Sequence, residues 1–225
     1  MVELCGLPGC GKTTLARTAA ELLRAEGQEV VVVDEVVSAA TPTVLRLPRK
    51  IVLVSHAVAA APRREAAAGL RLAATQRNRR DQLAVPIQWW MTQRLLTTAA
   101  RGSGTAVVEE GLVQALWTAG LMPSGPVNVP ELVGLAAAAP ARADLVVHLD
   151  VPVELAAERL GSRSSRHSRI QRMPASERLD ALRAGAYLLD ELLALWTGNG
   201  LGRVVVTDGD TDDPASTVLN WIRQA

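Results

Sequence analysis

Apolar residues along this chain follow two rhythms. Short, nearly unbroken apolar runs stand at 2–5, 30–33, 105–108, 145–149 and 204–206, bounded by glycine or by charged residues. Strands of a parallel sheet, covered on both faces, read in this way. Between the runs apolar residues return at helical spacing: Leu15, Ala19, Leu22 and Leu23 mark a helix over about 14–26, and Leu179, Leu182, Ala186, Leu189 and Leu193 mark one over about 175–196. Further helices are expected at about 51–76, 79–101, 112–121, 131–139, 153–160 and 214–223. Five strands alternating with helices predict an α/β domain of three layers around a five-stranded parallel sheet. The stretch 41–101 is too long for a simple connection between strands and reads as a helical insert over the substrate side of the sheet.

The first strand runs into Gly6-Leu7-Pro8-Gly9-Cys10-Gly11-Lys12-Thr13, which meets the pattern G-x-x-x-x-G-K-[ST] at every fixed position. Glycines let backbone N–H groups turn in around a phosphate, and the following helix adds its positive N-terminal end. Gly6, Gly9, Cys10, Gly11, Lys12, Thr13 and Thr14 are therefore expected to hold ATP. Lys12 would reach the outer phosphates, and the Thr13 hydroxyl would take one position on Mg²⁺. Of 24 basic residues only Lys12 and Lys50 are lysines, so a chain that otherwise uses arginine places a slim ammonium in this loop.

Carboxylates end the next two strands. Asp34 and Glu35 follow the second run, at the sheet edge where open α/β sheets bind ligands, and are candidates for a general base or for a water-mediated Mg²⁺ contact. Glu109 and Glu110 follow the third, where Glu109 would face the metal or the nucleophile and Glu110 the substrate. In the insert, Pro86-Ile87-Gln88-Trp89-Trp90 places Gln88 to hydrogen-bond a polar acceptor and a tryptophan, Trp89, to stack on it, although buried core is the commoner fate of any one tryptophan. Arg159, Arg163, Arg166, Arg169 and Arg172 put five arginines within fourteen residues, read as a lid at about 160–173 that closes on the phosphates. With no aromatics interleaved, the cluster does not read as a nucleic-acid patch.

Composition narrows the picture further. A chain of 225 residues, 48% hydrophobic, fills one domain spanning 1–225 and not comfortably two. A net charge of +1 supplies no general field for nucleic acid or anionic lipid. With no membrane-length apolar run and no room for a leader before the first strand, a cytoplasmic, soluble protein is expected. Cys5 and Cys10 suggest neither a metal site nor a disulfide, and Cys10, inside the loop, is expected to react with thiol reagents until nucleotide covers it.

These motifs together resemble the nucleoside and nucleotide monophosphate kinase branch of P-loop proteins, most nearly the deoxynucleoside kinases and thymidylate kinase. The resemblance covers most of the chain and implies a P-loop kinase fold. It implies Glu35, with Asp34 beside it, as the base, and Pro86-Ile87-Gln88 as the base-reading segment. It also implies an arginine lid after the helix at 153–160, and Asp208 of Thr207-Asp208-Gly209 against the adenine of ATP. Two departures stand out: Glu109 is followed by Glu110 where those kinases carry an arginine, and the lid lacks their pair of glutamates.

The expected activity is transfer of the ATP γ-phosphoryl group, with Mg²⁺, to a hydroxyl or phosphate of a small-molecule acceptor, a nucleoside or nucleotide first. A sugar or hydroxyl-bearing natural product such as an antibiotic is the alternative acceptor. A P-loop ATPase or switch acting on a protein partner is the alternative of another class. A homodimer is compatible with the chain, and neither a nucleic-acid nor a membrane partner is expected.

Overall fold

The computed structural model describes residues 1–33, 55, 62–162, 169–208 and 214–224. Within them five parallel strands form one sheet: β1 (Val2–Cys5), β2 (Val30–Val32), β3 (Thr105–Val108), β4 (Leu145–Asp150) and β5 (Arg203–Asp208). Their spatial order is β2-β3-β1-β4-β5. From β1 the chain builds first to one side and then to the other, so the C-terminal end of β1 is the point at which the strand order switches direction. Ligands of open parallel sheets bind in the crevice at such a point. The loop Gly6–Gly11 leaves the sheet there.

The helices are α1 (Lys12–Ala25), α2 (Pro62–Ala74), α3 (Arg79–Ala99), α4 (Leu112–Gly120), α5 (Val129–Ala137), α6 (Val153–Gly161), α7 (Ala175–Gly198) and α8 (Pro214–Arg223). A 3₁₀ turn, Ile170–Arg172, leads into α7. α1 packs against α8 and against β1, β2 and β3, while α7 packs against α4, α5 and α6, and α3 joins α4 to α2. The strand order and the loop after the central strand are those of a P-loop kinase fold, as the alternation of patterns predicts.

Hydrophobic burial drives this arrangement. Leu4, Leu23, Leu96, Leu112, Leu116, Leu145 and Leu182 are each 1% exposed or less. Truncating one of them to alanine would cost about 2–5 kcal/mol. β1 and β4 are the most completely covered strands, consistent with apolar runs that have no polar face. The exceptions are His148, buried in β4, and Glu3, a carboxylate at 0% exposure in the middle of the central strand.

Several element boundaries differ from the sequence expectation. Of the helix expected over 51–76, Ser55 is helical and Pro62–Ala74 forms α2, residues 51–54 and 56–61 lying outside the described residues, and the second helix ends at Ala99. α5 starts two residues early because Asn128 caps it, its Oδ1 accepting from Glu131 N–H at 3.1 Å, and Pro130 fits the first turn. α3 is likewise capped by Asn78, whose Oδ1 accepts from Asp81 N–H at 2.9 Å. No described helix is long and apolar enough to cross a membrane.

Candidate active site

The loop after β1 is shaped by one close approach. Gly9 stands at φ +99, and a Cβ there would fall 2.4 Å from the carbonyl oxygen of Ala156 in α6. Only glycine lets the loop lie against that helix. Lys12 folds back over the loop, its Nζ donating to Gly6 O at 2.7 Å and Leu7 O at 3.2 Å and reaching Cys10 Sγ at 3.6 Å. The ammonium thus rests on main-chain carbonyls at the place where phosphates would lie, and is positioned to exchange those contacts for anionic oxygens. Thr14 sits exposed in the first turn of α1.

Thr13 and Glu109 come together from opposite ends of the motif order. The Thr13 hydroxyl donates to Glu109 Oε2 at 2.5 Å, across 96 residues of sequence. Glu109 is buried at the end of β3, and Glu110 beside it is exposed. No group of three or more His, Cys, Asp or Glu suited to a metal occurs among the described residues. Among the described residues the donor set is one hydroxyl and one carboxylate, both hard oxygens. That is the sparse set Mg²⁺ accepts, since it keeps several waters and takes its other oxygens from substrate phosphates.

A cleft of about 440 Å³ runs from the loop toward the insert. Pro8, Gly9, Gly11, Lys12 and Thr13 form one end, with Glu109 and Glu110 on the adjoining wall. α3 contributes Arg80, Asp81, Ala84, Val85 and Gln88, a single stripe at helical spacing. Gln114, Trp117 and Thr118 of α4 and Arg169 and Gln171 close the remaining side. Gln88 thus meets the same cleft as Lys12.

Trp89 does not. One residue further round α3, it turns about 100° away from the cleft. It is 2% exposed and lines a separate cavity of about 210 Å³ with Arg64, Glu65 and Gln93. The expected stacking role of Trp89 is corrected: it is core, and Trp117 is the tryptophan in the cleft wall.

The role expected of Arg169 changes as well. Its guanidinium donates to Thr118 O at 2.7 Å, to Gln76 Oε1 at 3.2 Å and to Asp81 Oδ2 at 2.5 Å. The Arg169 and Asp81 side chains are 12% and 11% exposed. This arginine ties the segment before α7 to α3, α4 and the turn between α2 and α3, and does not swing free. Arg163 and Arg166, like Asp34 and Glu35, lie outside the described residues. Asp208 stands exposed at the end of β5, in register with Asp150, two strands from the loop and off the cleft wall.

Cys10 is 2% exposed, so the loop shields its sulfur and the expected reactivity toward thiol reagents is corrected. Burial pushes the Cys5 thiol well above its usual range, and the Glu3 carboxylate adds to this against the opposing Lys12 charge. His148, on β4 beside Cys5, is held below the usual histidine range by burial, with Asp150 and Asp190 pulling the other way.

Sequence reasoning missed the residues that brace the loop from behind. Glu3 Oε1 accepts from the backbone N–H of Gln114 at 3.1 Å. A buried carboxylate from the sheet thereby serves the first turn of α4, whose N-cap, Gly111, has no side chain to do so. A Cβ at Gly111 would lie 2.2 Å from Glu3 Cδ, so the glycine is required by this contact. Gln114 Oε1 in turn accepts from Gly6 N–H at 3.4 Å. A charged residue inside an apolar strand run was the one available signal.

Residues 1–189 match the family described as AAA domain. No curated protein matches the chain.

Proposed function

This chain belongs to the AAA domain family, P-loop proteins that include many kinases, and we propose that it is an ATP-dependent kinase of a small-molecule acceptor, a nucleoside or nucleotide. The observation that carries this reading is the single cleft joining Lys12, Thr13 and Glu109 to the α3 stripe that contains Gln88. A nucleotide switch needs the first three residues and has no use for a walled polar chamber beyond them.

In this reading the loop N–H groups and Lys12 hold the ATP phosphates. Thr13 and Glu109 would hold Mg²⁺, which when bound neutralises charge building on the phosphates. The acceptor lies along α3, with Gln88 offering paired hydrogen bonds and Trp117 an apolar wall. Glu35, or Asp34, takes the proton from the acceptor hydroxyl as its oxygen attacks the γ-phosphorus, and the bond from that phosphorus to the ADP oxygen breaks. Arg163 and Arg166 neutralise the transferring group from the lid. Arg80 stands on the cleft wall and offers a cation from α3 where Glu110 replaces an arginine after β3.

The test is an ADP-release screen over nucleosides, nucleotides, sugars and hydroxylated antibiotics, with the phosphorylated product located by mass spectrometry. ADP release stimulated by a nucleoside or nucleotide is expected. Stimulation by a sugar or an antibiotic moves the acceptor class, and stimulation by a protein alone overturns the kinase reading. Glu35→Gln should lower acceptor-dependent turnover about a hundredfold with nucleotide affinity kept. Full activity in both Glu35→Gln and Asp34→Asn would remove the pair as base.

A further inference from the structure

Gln114 is fixed at two points and free at a third. Its backbone N–H is taken by Glu3 Oε1 at 3.1 Å, and its side-chain oxygen accepts from Gly6 N–H at 3.4 Å. Because a backbone N–H can only donate, the oxygen of the amide must face Gly6, and the orientation of the side chain is chemically determined. The NH₂ group is then turned away from the strand end. Gln114 is 6% exposed and lines the cleft, and its NH₂ group finds no partner among the described residues.

What lies beside it gives that group a purpose. Gly6 is gripped from both sides: its N–H by Gln114 and its carbonyl by Lys12 Nζ at 2.7 Å. The amide and the ammonium are therefore neighbours across one residue of the loop. Lys12 is the side chain that reaches the outer phosphates in this motif, so a donor pair held next to it, in the same cleft, faces the same anion. Donors held in place by a rigid surround lose little freedom on binding, which makes them effective on developing negative charge.

We propose that the Gln114 amide is a phosphoryl-binding residue, donating through Nε2 to a phosphoryl oxygen held between the loop and α3. The proposal rests on the kinase reading for its acceptor side and on nucleotide binding alone for its ATP side. The oxygen belongs either to the γ-phosphate of ATP or to a phosphorylated acceptor.

Gln114→Glu separates the functions of the side chain. A carboxylate oxygen still accepts from Gly6 N–H, so the brace on the loop is retained, while the donor pair is replaced by a negative charge. Dissociation constants for Mg-ATP and Mg-ADP are read by fluorescence with a labelled nucleotide, which requires no phosphoryl transfer. If the oxygen is that of the γ-phosphate, Mg-ATP should weaken about tenfold or more while Mg-ADP changes less than about twofold. If it belongs to the acceptor, both nucleotides keep their affinity and the KM of a phosphorylated acceptor rises by a similar factor. Equal weakening of ATP and ADP, or no change in nucleotide affinity and in acceptor KM, overturns the proposal and leaves Gln114 as a brace. Gln114→Ala gives the same ATP-to-ADP comparison without an added charge, should the glutamate variant fail to fold. A wild-type protein that binds ATP but phosphorylates nothing in the acceptor screen would sink the kinase reading and leave this comparison standing.

Discussion

The two ends of the cleft are made of different material. At the loop end eight consecutive residues, Gly6 to Thr13, do the work mostly with main chain, and one side chain, Lys12, lies on their carbonyls. At the far end the wall is assembled from side chains of α3, α4 and the segment before α7, tied by Arg169 to Thr118, Gln76 and Asp81. In the proposed reading the first end takes what every nucleoside triphosphate shares. The second would discriminate, because its shape depends on which side chains meet.

The sharpest way to break this contrast is Lys12→Ala. The loop glycines and the core are untouched, so the protein should fold with nearly normal Tm, while phosphoryl transfer falls about a thousandfold or more because the lost charge acts on the transferring group. Near-normal turnover would mean that the loop end is not where transfer occurs.

Asp81→Ala addresses the other end. It leaves the Arg169 guanidinium with one partner fewer in a nearly buried site, and removing one member of such a pair costs about 3 kcal/mol. For a chain of this size that lowers Tm by about 6–12 °C. Calorimetry should show the drop with Mg-ATP affinity retained. A variant with unchanged Tm would show that the Arg169 cluster does not hold the wall together.

Thiol labelling compares the ends more gently. Cys5 and Cys10 are 0% and 2% exposed, so both should react slowly in the native protein, at a rate set by local opening, and rapidly in denaturant. Mg-ATP should slow Cys10 further. Fast native labelling of Cys10 would show that the loop end is open without nucleotide.

The smallest effect is a pH dependence. Burial holds the folded-state pKa of His148 below 6.5, so the histidine is neutral in both states above about pH 7. As pH falls below 6.5 the unfolded chain takes up a proton that the folded chain refuses, and stability declines toward acid. His148→Gln should flatten that part of the stability curve in denaturant titrations between about pH 5 and 7. An identical slope in the variant would assign the acid sensitivity to other groups.

Periodicity and one local motif made much of this protein legible before its structure. Parallel strands carry unbroken apolar runs because both faces are covered, and a phosphate loop must be contiguous because neighbouring N–H groups form it. Thr13 and Glu109 were nameable for the same reason: a strand end and a helix start at the switch point of a parallel sheet are neighbours. Trp89 was not, because composition favours a core tryptophan without saying which of Trp89, Trp90 and Trp117 it is, and only the rotation of α3 against α2 and α4 decides what enters the cleft. Arg169 was legible as a charge in a run of arginines, but its partners Gln76, Asp81 and Thr118 lie 93, 88 and 51 residues away.

By itself, then, the sequence determined the layered sheet, the loop and the class of anion it cradles, since each follows from repeats and contacts within a few residues. The tertiary structure alone decided that Glu3, buried in β1, caps α4, that Gln114 braces Gly6, and that Arg169 is tied to the cleft wall. Those contacts span tens to more than a hundred residues, and a hydrogen bond between a side chain and a distant residue leaves no periodic trace in the chain that makes it.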